Sequence, residues 1–268
     1  MNTHYKNWLI DKDDKHIITL TLDKPETTTN VLSQSVLSEL QLILDDIKHS
    51  QSRALIFKSA KKNSFIAGAD VTEFSKFSNN SDPYGAALGA IQQGQLVMNS
   101  IESLAFPSFA LINGFCLGGG MELAIACDVI VAAKGAQFGQ PEIKVGFFPP
   151  YAAMRLPQLV GPARAIEICT TGKFYSAEEA QLMGMVGYVA EDDRLGETTD
   201  KIVKEIQTGS ALIIRLNKRA VRQHLGLAFK PALAGVSDLF LNTLMKTEDT
   251  QEGIASYEEK RKPVWKNR

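Results

Sequence analysis

Hydrophobic and polar residues alternate along HIITLTL (residues 16–22), which runs into the turn-forming Asp-Lys-Pro, so this stretch is predicted to be a β-strand. ALIFKSA (residues 54–60) reads as a second strand. Between them, VLSQSVLSELQLILDDIKHS (residues 31–50) repeats apolar residues at helical spacing, with Leu37, Leu40, Leu42, Leu44 and Ile47 expected to cover one broad face. Strand, helix and strand in that order predict a parallel crossover unit.

The alternation continues. A long helix is predicted from Gly85 to Ser103, followed by the strand SFALI (residues 108–112), a glycine-rich turn, a short helix from Gly119 to Ala126 and the strand DVIVAA (residues 128–133). GPARAIEICTTG (residues 161–172) and SAEEAQLMG (residues 176–184) read as helices closed by glycine, and GYVA (residues 187–190) as a short strand. From Arg194 onward the strand signal fades and successive helices are expected. The chain therefore divides into an α/β core, residues 1–193, and a helical region, residues 194–268. FSNNSDP (residues 77–83) is expected to be a mobile surface loop.

Composition narrows the function classes. With 268 residues, 44% hydrophobic and 22% charged, the chain has the make-up of a globular protein with a sizeable core. A formal net charge of −1 supplies no field to draw in nucleic acid or an anionic membrane surface, so neither is expected as a partner. No apolar run reaches the ~18 residues of a membrane span, and the polar start lacks a secretory h-region, so a cytoplasmic protein is expected. Cys116, Cys127 and Cys169 are odd in number and lack zinc-type pairing, which fits reduced, buried thiols. His4, His16, His49 and His224 all lie outside the glycine-rich segments, so a Ser/His or Cys/His nucleophile would need long-range folding to assemble.

Three segments carry candidate chemistry. In SFALINGFCLGGGMELA a strand ends in glycines and opens a helix, which exposes backbone N–H groups at the positive end of the helix dipole, a place to hold an oxyanion. The same glycines could serve only close packing. A dinucleotide loop fits less well, because Gly118, Gly120 and Leu123 give G-x-G-x-x-L without a third glycine. In SFIAGADVTEF the small residues Ala67, Gly68 and Ala69 could present another N–H group, with Asp70 capping the following turn. In AQFGQPEIKVGFFPPYAAMRL, Glu142 follows Pro141, and such a glutamate is ordinarily solvated surface. Paired with Glu122 near oxyanion donors it gains a use: one carboxylate takes a proton from water while the other delivers one to carbon.

SFIAGAD, NGFCLGGGMELAIACD and AQFGQPEIKVG, in this order and spacing, resemble the enoyl-CoA hydratase/isomerase (crotonase) superfamily over nearly the whole chain. The resemblance implies a spiral of ββα units in two roughly perpendicular sheets with a C-terminal helical trimerisation region, and a homotrimer or a homohexamer built as a dimer of trimers. It places the oxyanion-hole N–H groups on Ala69 and Gly119, and the two acids of the hydratases on Glu122 and Glu142. Glu122 would activate the water and Glu142 would exchange the proton at the α-carbon of a trans-2-enoyl-CoA, giving a 3-hydroxyacyl-CoA. The loop around Ala67 would meet the adenine of CoA. Gly68, Asp70, Gly118, Gly120 and Pro141 beside the motifs, and Gly146 and Tyr151 after them, are further candidate substrate contacts. Lys260 matches a basic residue that reaches the nucleotide phosphates, and a solvated helix end is its alternative. Coenzyme A is part of the substrate, and no other cofactor or metal is implied.

The chain departs from the family pattern after Glu142. A glycine-rich stretch is replaced by Gly146-Phe147-Phe148-Pro149-Pro150-Tyr151, where proline fixes φ and tyrosine adds bulk. The loop is expected to take a different shape and, where the family lines its acyl pocket, to favour an atypical acyl group. An enoyl-CoA isomerase, which needs one carboxylate and the oxyanion hole, and a non-catalytic acyl-CoA-binding scaffold are the competing readings.

Overall fold

A computed structural model describes residues 5–73 and 80–268. The chain separates into two compact units: Met1–Leu104 with Ser108–Asp200, and Ala105–Pro107 with Lys201–Arg268.

The first unit contains a six-stranded sheet in the order β1-β2-β3-β5-β7-β10, formed by β1 (Trp8–Lys12), β2 (Ile17–Leu22), β3 (Ala54–Ser59), β5 (Ser108–Ile112), β7 (Val129–Ala133) and β10 (Tyr188–Ala190). β1 pairs antiparallel with β2 and the other pairings are parallel. β2 and β3 are joined through helix α1 (Gln34–Ile47), the predicted crossover. Ser33 caps α1 by accepting from the Val36 N–H. The buried face of α1 is Val36, Leu40, Ile43, Leu44 and Ile47. Leu42, expected on that face, is 58% exposed, because the apolar stripe is narrower than the spacing of leucines suggested and Ile43 occupies the inward position.

A second sheet, β4-β6-β8-β9, consists of β4 (Ser64–Ile66), β6 (Phe115–Leu117), β8 (Gln137–Gly139) and β9 (Phe174–Ser176). Helix α2 (Pro83–Glu102) starts two residues earlier than predicted, since Asp82 accepts from the Gly85 N–H and Pro83 suits the first helical turn. The surface loop expected at residues 77–83 falls partly outside the described residues, and Pro83 belongs to the helix. Helix α3 (Gly119–Ala126) follows β6 directly. Helices α4 (Pro150–Val160), α5 (Pro162–Thr171) and α6 (Ala177–Leu182) complete the unit, and α6 opens on a reciprocal cap between Ser176 and Glu179. Beyond β10 the chain is helical, as predicted: α7 (Leu195–Thr208), α8 (Ala211–Arg222), α9 (Phe229–Asn242) and α10 (Glu248–Glu258).

Within the second unit a buried carboxylate ties the C-terminal residues down. Asp249, 1% exposed, accepts from the backbone N–H groups of Lys266 at 2.7 Å and Asn267 at 2.9 Å and from the Ser210 hydroxyl. The Trp265 indole donates to the Thr208 carbonyl at 2.8 Å.

Helix α3 lies so close to β4 that a Cβ on Gly120 would stand 2.3 Å from the Ile66 carbonyl oxygen and 2.6 Å from the Ile66 Cβ. Backbone cannot yield as a flexible side chain does. Gly120→Ala is expected to cost ~1–3 kcal/mol by overpacking and to lower the thermal midpoint by several degrees, as measured by circular dichroism melting. An unchanged midpoint would mean that α3 can slide away from β4.

Candidate active site

β4, β6 and β8 are parallel neighbours, so their C-terminal ends lie at the same end of the small sheet. Each of the three candidate segments leaves one of those ends: Ala67 to Asp70 after β4, Gly118 to Gly120 after β6, and Gln140 to Glu142 after β8. The Gly118 N–H donates to the Gly139 carbonyl at 2.9 Å, which extends the β6 and β8 pairing into the turn.

The segment after β4 is held by a bridge to Leu32. The Leu32 N–H donates to Gly68 O at 2.9 Å, the Asp70 N–H to Leu32 O at 3.0 Å, and the Ala67 N–H to Asn30 O at 2.8 Å. A parallel bridge uses the groups flanking its central residue, here Ala69, so the Ala69 N–H keeps its hydrogen. Gly119 is the first residue of α3, where a helix has no internal acceptor for its N–H. Among the described residues neither N–H donates to a protein acceptor. A Cβ on Gly119 would lie 3.6 Å from the Ala69 nitrogen, so the two donors are close neighbours.

Gly118 needs to be glycine for two reasons. Its φ of +51° with ψ of −127° is a backbone state that side chains resist, and a Cβ there would stand 2.5 Å from Glu142 Oε1.

Glu122, in the first turn of α3, sends Oε1 to the start of α4, where it accepts from the Tyr151 and Ala152 N–H groups at 2.9 Å each. The segment expected to be a reshaped loop is therefore the beginning of a helix. Pro150 takes the first helical position, where its missing N–H costs nothing, and the N–H groups behind it clamp the carboxylate. Burial raises the Glu122 carboxyl above the ordinary range, and these two N–H groups oppose the rise.

Glu142 lies in a 3-10 turn, Pro141–Val145, closed by Gly146 at φ +81°. Gln140 is fully buried, and with its amide nitrogen turned to Glu142 it donates to both carboxylate oxygens at 3.0 and 3.1 Å. Burial raises the Glu142 carboxyl from 4.5 to about 7, its own backbone N–H opposes, and the negative charge of Glu122 adds to the rise. Ala69, Gly119, Glu122, Glu142, Gly146 and Tyr151 all line one cavity of about 330 Å³, whose other walls are mostly apolar residues of α1, α2 and the Phe147 and Phe148 pair, with Gln95 of α2 as a polar member.

The remaining candidates have other surroundings. Asp70 gives its carboxylate to Lys24 at 2.8 Å and to the Thr72 hydroxyl at 2.6 Å, which hold it below its ordinary range and cap the short turn Val71–Glu73. Lys260 belongs to the second unit, where it lies just beyond the end of α10 with φ +53° and is exposed. Sequence reasoning did not single out Gln140, the Ala152 N–H, or the face of α2 turned to the cavity. The last had a signal, since positions 87, 90, 91, 94 and 98 follow helical spacing. Burial keeps the Cys116 thiol well above its ordinary value and raises that of Cys169, so neither thiol is activated for nucleophilic attack.

A carboxyl whose pKa rises on folding, from 4.5 to about 7, contributes stability that is fully present below pH 4.5 and is lost as pH climbs through 7. Glu142→Gln removes that loss. Relative to the parent, its melting temperature is expected to be higher by a few degrees at pH 8 and to gain nothing at pH 4 to 5. A constant difference across that range would rule out the raised pKa.

A family model described as enoyl-CoA hydratase/isomerase matches residues 12–268. The short-chain-enoyl-CoA hydratase of Clostridium acetobutylicum is 32% identical over 96% of this chain and 96% of its own. The crotonyl-CoA hydratase of Syntrophomonas wolfei is 33% identical over 96% of this chain and 97% of its own. The crystal structure of an enoyl-CoA hydratase from Bacillus anthracis superposes with a TM-score of 0.89 at 31% identity, covering 98% of this chain and 100% of that one. Likeness in sequence and in fold thus extends across both units, and the chain belongs to the enoyl-CoA hydratase/isomerase family.

Proposed function

We propose that the protein is an enoyl-CoA hydratase, which adds water reversibly to a trans-2-enoyl-CoA to give a 3-hydroxyacyl-CoA. The observation that carries this reading is the presence of two carboxylates with raised pKa, Glu122 and Glu142, in one cavity with the N–H groups of Ala69 and Gly119. Attack of water on the β-carbon drives electrons toward the thioester carbonyl, and the oxygen gains enolate-like charge. Two preorganised N–H donors would stabilise that charge, each typically by ~3–4 kcal/mol. Glu122 is clamped through Oε1, and among the described residues its other oxygen accepts no hydrogen bond, which leaves it to orient and deprotonate the water. Glu142, with a pKa of about 7, retains a proton near neutrality and passes it to the α-carbon.

Coenzyme A enters as part of the substrate, with the Ala67 loop at its adenine, and the chemistry calls on no further cofactor. Self-association through the helical region, as a trimer or a pair of trimers, is supported by exposed apolar side chains of α9, Phe229, Leu233, Phe240 and Leu241. Among the described residues no helix is long and apolar enough to cross a membrane, and a cytoplasmic location fits three free cysteines.

Purified protein is expected to deplete the conjugated-thioester absorbance of crotonyl-CoA with a mass gain of one water. Glu122→Gln and Glu142→Gln should each lower kcat by ~10²–10⁴-fold with little change in thioester affinity, because proton transfer is lost and binding is not. Near-full rate in either variant would remove that residue from the mechanism. Conversion of a 3-enoyl thioester without mass change would identify an isomerase.

A further inference from the structure

Enoyl thioesters differ from one another mainly in the tail beyond the double bond, and helix α2 forms one wall of the cavity that would receive that tail. Ala87, Ala90 and Gly94 stand on the cavity side of α2 together with Met98. Gly94 is in the interior of a helix of 20 residues, where glycine is among the least favoured residues. Neither of the usual reasons for glycine applies. Its φ is not positive, and a Cβ added to it would meet no atom of the described residues within 4 Å. The missing side chain leaves open space at the cavity wall.

The size of the space points the same way. An apolar cavity of ~150 Å³ accommodates benzene, and this one measures about 330 Å³. A four-carbon acyl group would leave much of it unfilled, whereas each methylene moved from water onto an apolar wall improves affinity by roughly fourfold. Phe147 and Phe148, in the segment where the chain departs from the family pattern, bound the same cavity and add apolar surface for a longer tail.

We propose that Gly94, with Ala87 and Ala90, is a specificity determinant that opens the acyl site to medium-chain groups of roughly eight carbons in preference to four-carbon ones. The proposal rests on the acyl-thioester reading of the cavity. It does not depend on which proton transfer Glu122 or Glu142 performs.

Two measurements on the full chain test it. Calorimetric titration with butanoyl-CoA and octanoyl-CoA, which are saturated and cannot be hydrated, reads the pocket alone. The ratio of kcat/KM for trans-2-octenoyl-CoA to that for trans-2-butenoyl-CoA reads it through turnover. The parent is expected to favour the eight-carbon ligand by at least tenfold in both. Gly94→Leu should cut each preference by at least tenfold, and Gly94→Ala should cut it less. Both substitutions favour the helix, so a lower melting temperature is not expected. A parent that prefers the four-carbon ligand, or a Gly94→Leu variant that weakens both ligands equally, would overturn the assignment. Failure to bind either saturated thioester would overturn it too. Selective octanoyl-CoA binding that Gly94→Leu abolishes, without hydration of any enoyl thioester, would uphold the pocket while discarding the hydratase. Hydration with no dependence on tail length would do the reverse.

Discussion

The site depends on the parallel pairing of three strands of only three residues each. β4, β6 and β8 are short, yet their register brings together three turns separated by about 20 to 50 positions along the chain. Parallel alignment sends all three turns off the same end of the sheet, the general location of ligand sites in α/β proteins. A slip of one residue in any strand would invert its side chains and carry its turn out of reach. Gly120 guards one of these registers through its contact with Ile66, and Gly118 guards another through its approach to Glu142.

Around that frame the two carboxylates are treated differently. Glu122 is held by backbone at a helix start, which supplies fixed partial positive charge against the cost of burial. Glu142 receives a neutral amide, from Gln140, and the repulsion of its neighbour. Both are lifted above the ordinary range, but only Glu122 is clamped by two backbone donors of another helix. Unequal environments of this kind are how paired acids come to take opposite parts in a proton exchange.

Much of this was legible in the sequence, and what was not has physical reasons. β2, β3, β5, β7 and most of the helices have runs long enough for periodicity to register. The small sheet's three-residue strands are too short to show alternation, so apart from a short strand-like run before Glu142 the glycines and acids at their ends marked them. Helix α4 was hidden by Pro149 and Pro150, which read as a loop although proline is well placed in a first helical turn. The α2 wall showed in its helical spacing but not as a cavity, because Ala87, Ala90 and Gly94 have small side chains, and a cavity is recorded by what the residues around it lack. Gln140 was silent for a different reason: a neutral amide announces nothing until its partner is known.

The clamp on Glu122 has a consequence for stereochemistry. Both N–H groups of α4 engage the same oxygen, Oε1, and so fix the rotation of the carboxylate as well as its position. A freely turning carboxylate could present a water molecule from either of two directions, whereas a pinned one offers a single direction through Oε2. On the proposed hydration, a flat alkene laid between this carboxylate and the Ala69 and Gly119 N–H groups would show it one face. The handedness of the new carbon centre would then be written in the first turn of a neighbouring helix, by two peptide groups with no chemistry of their own.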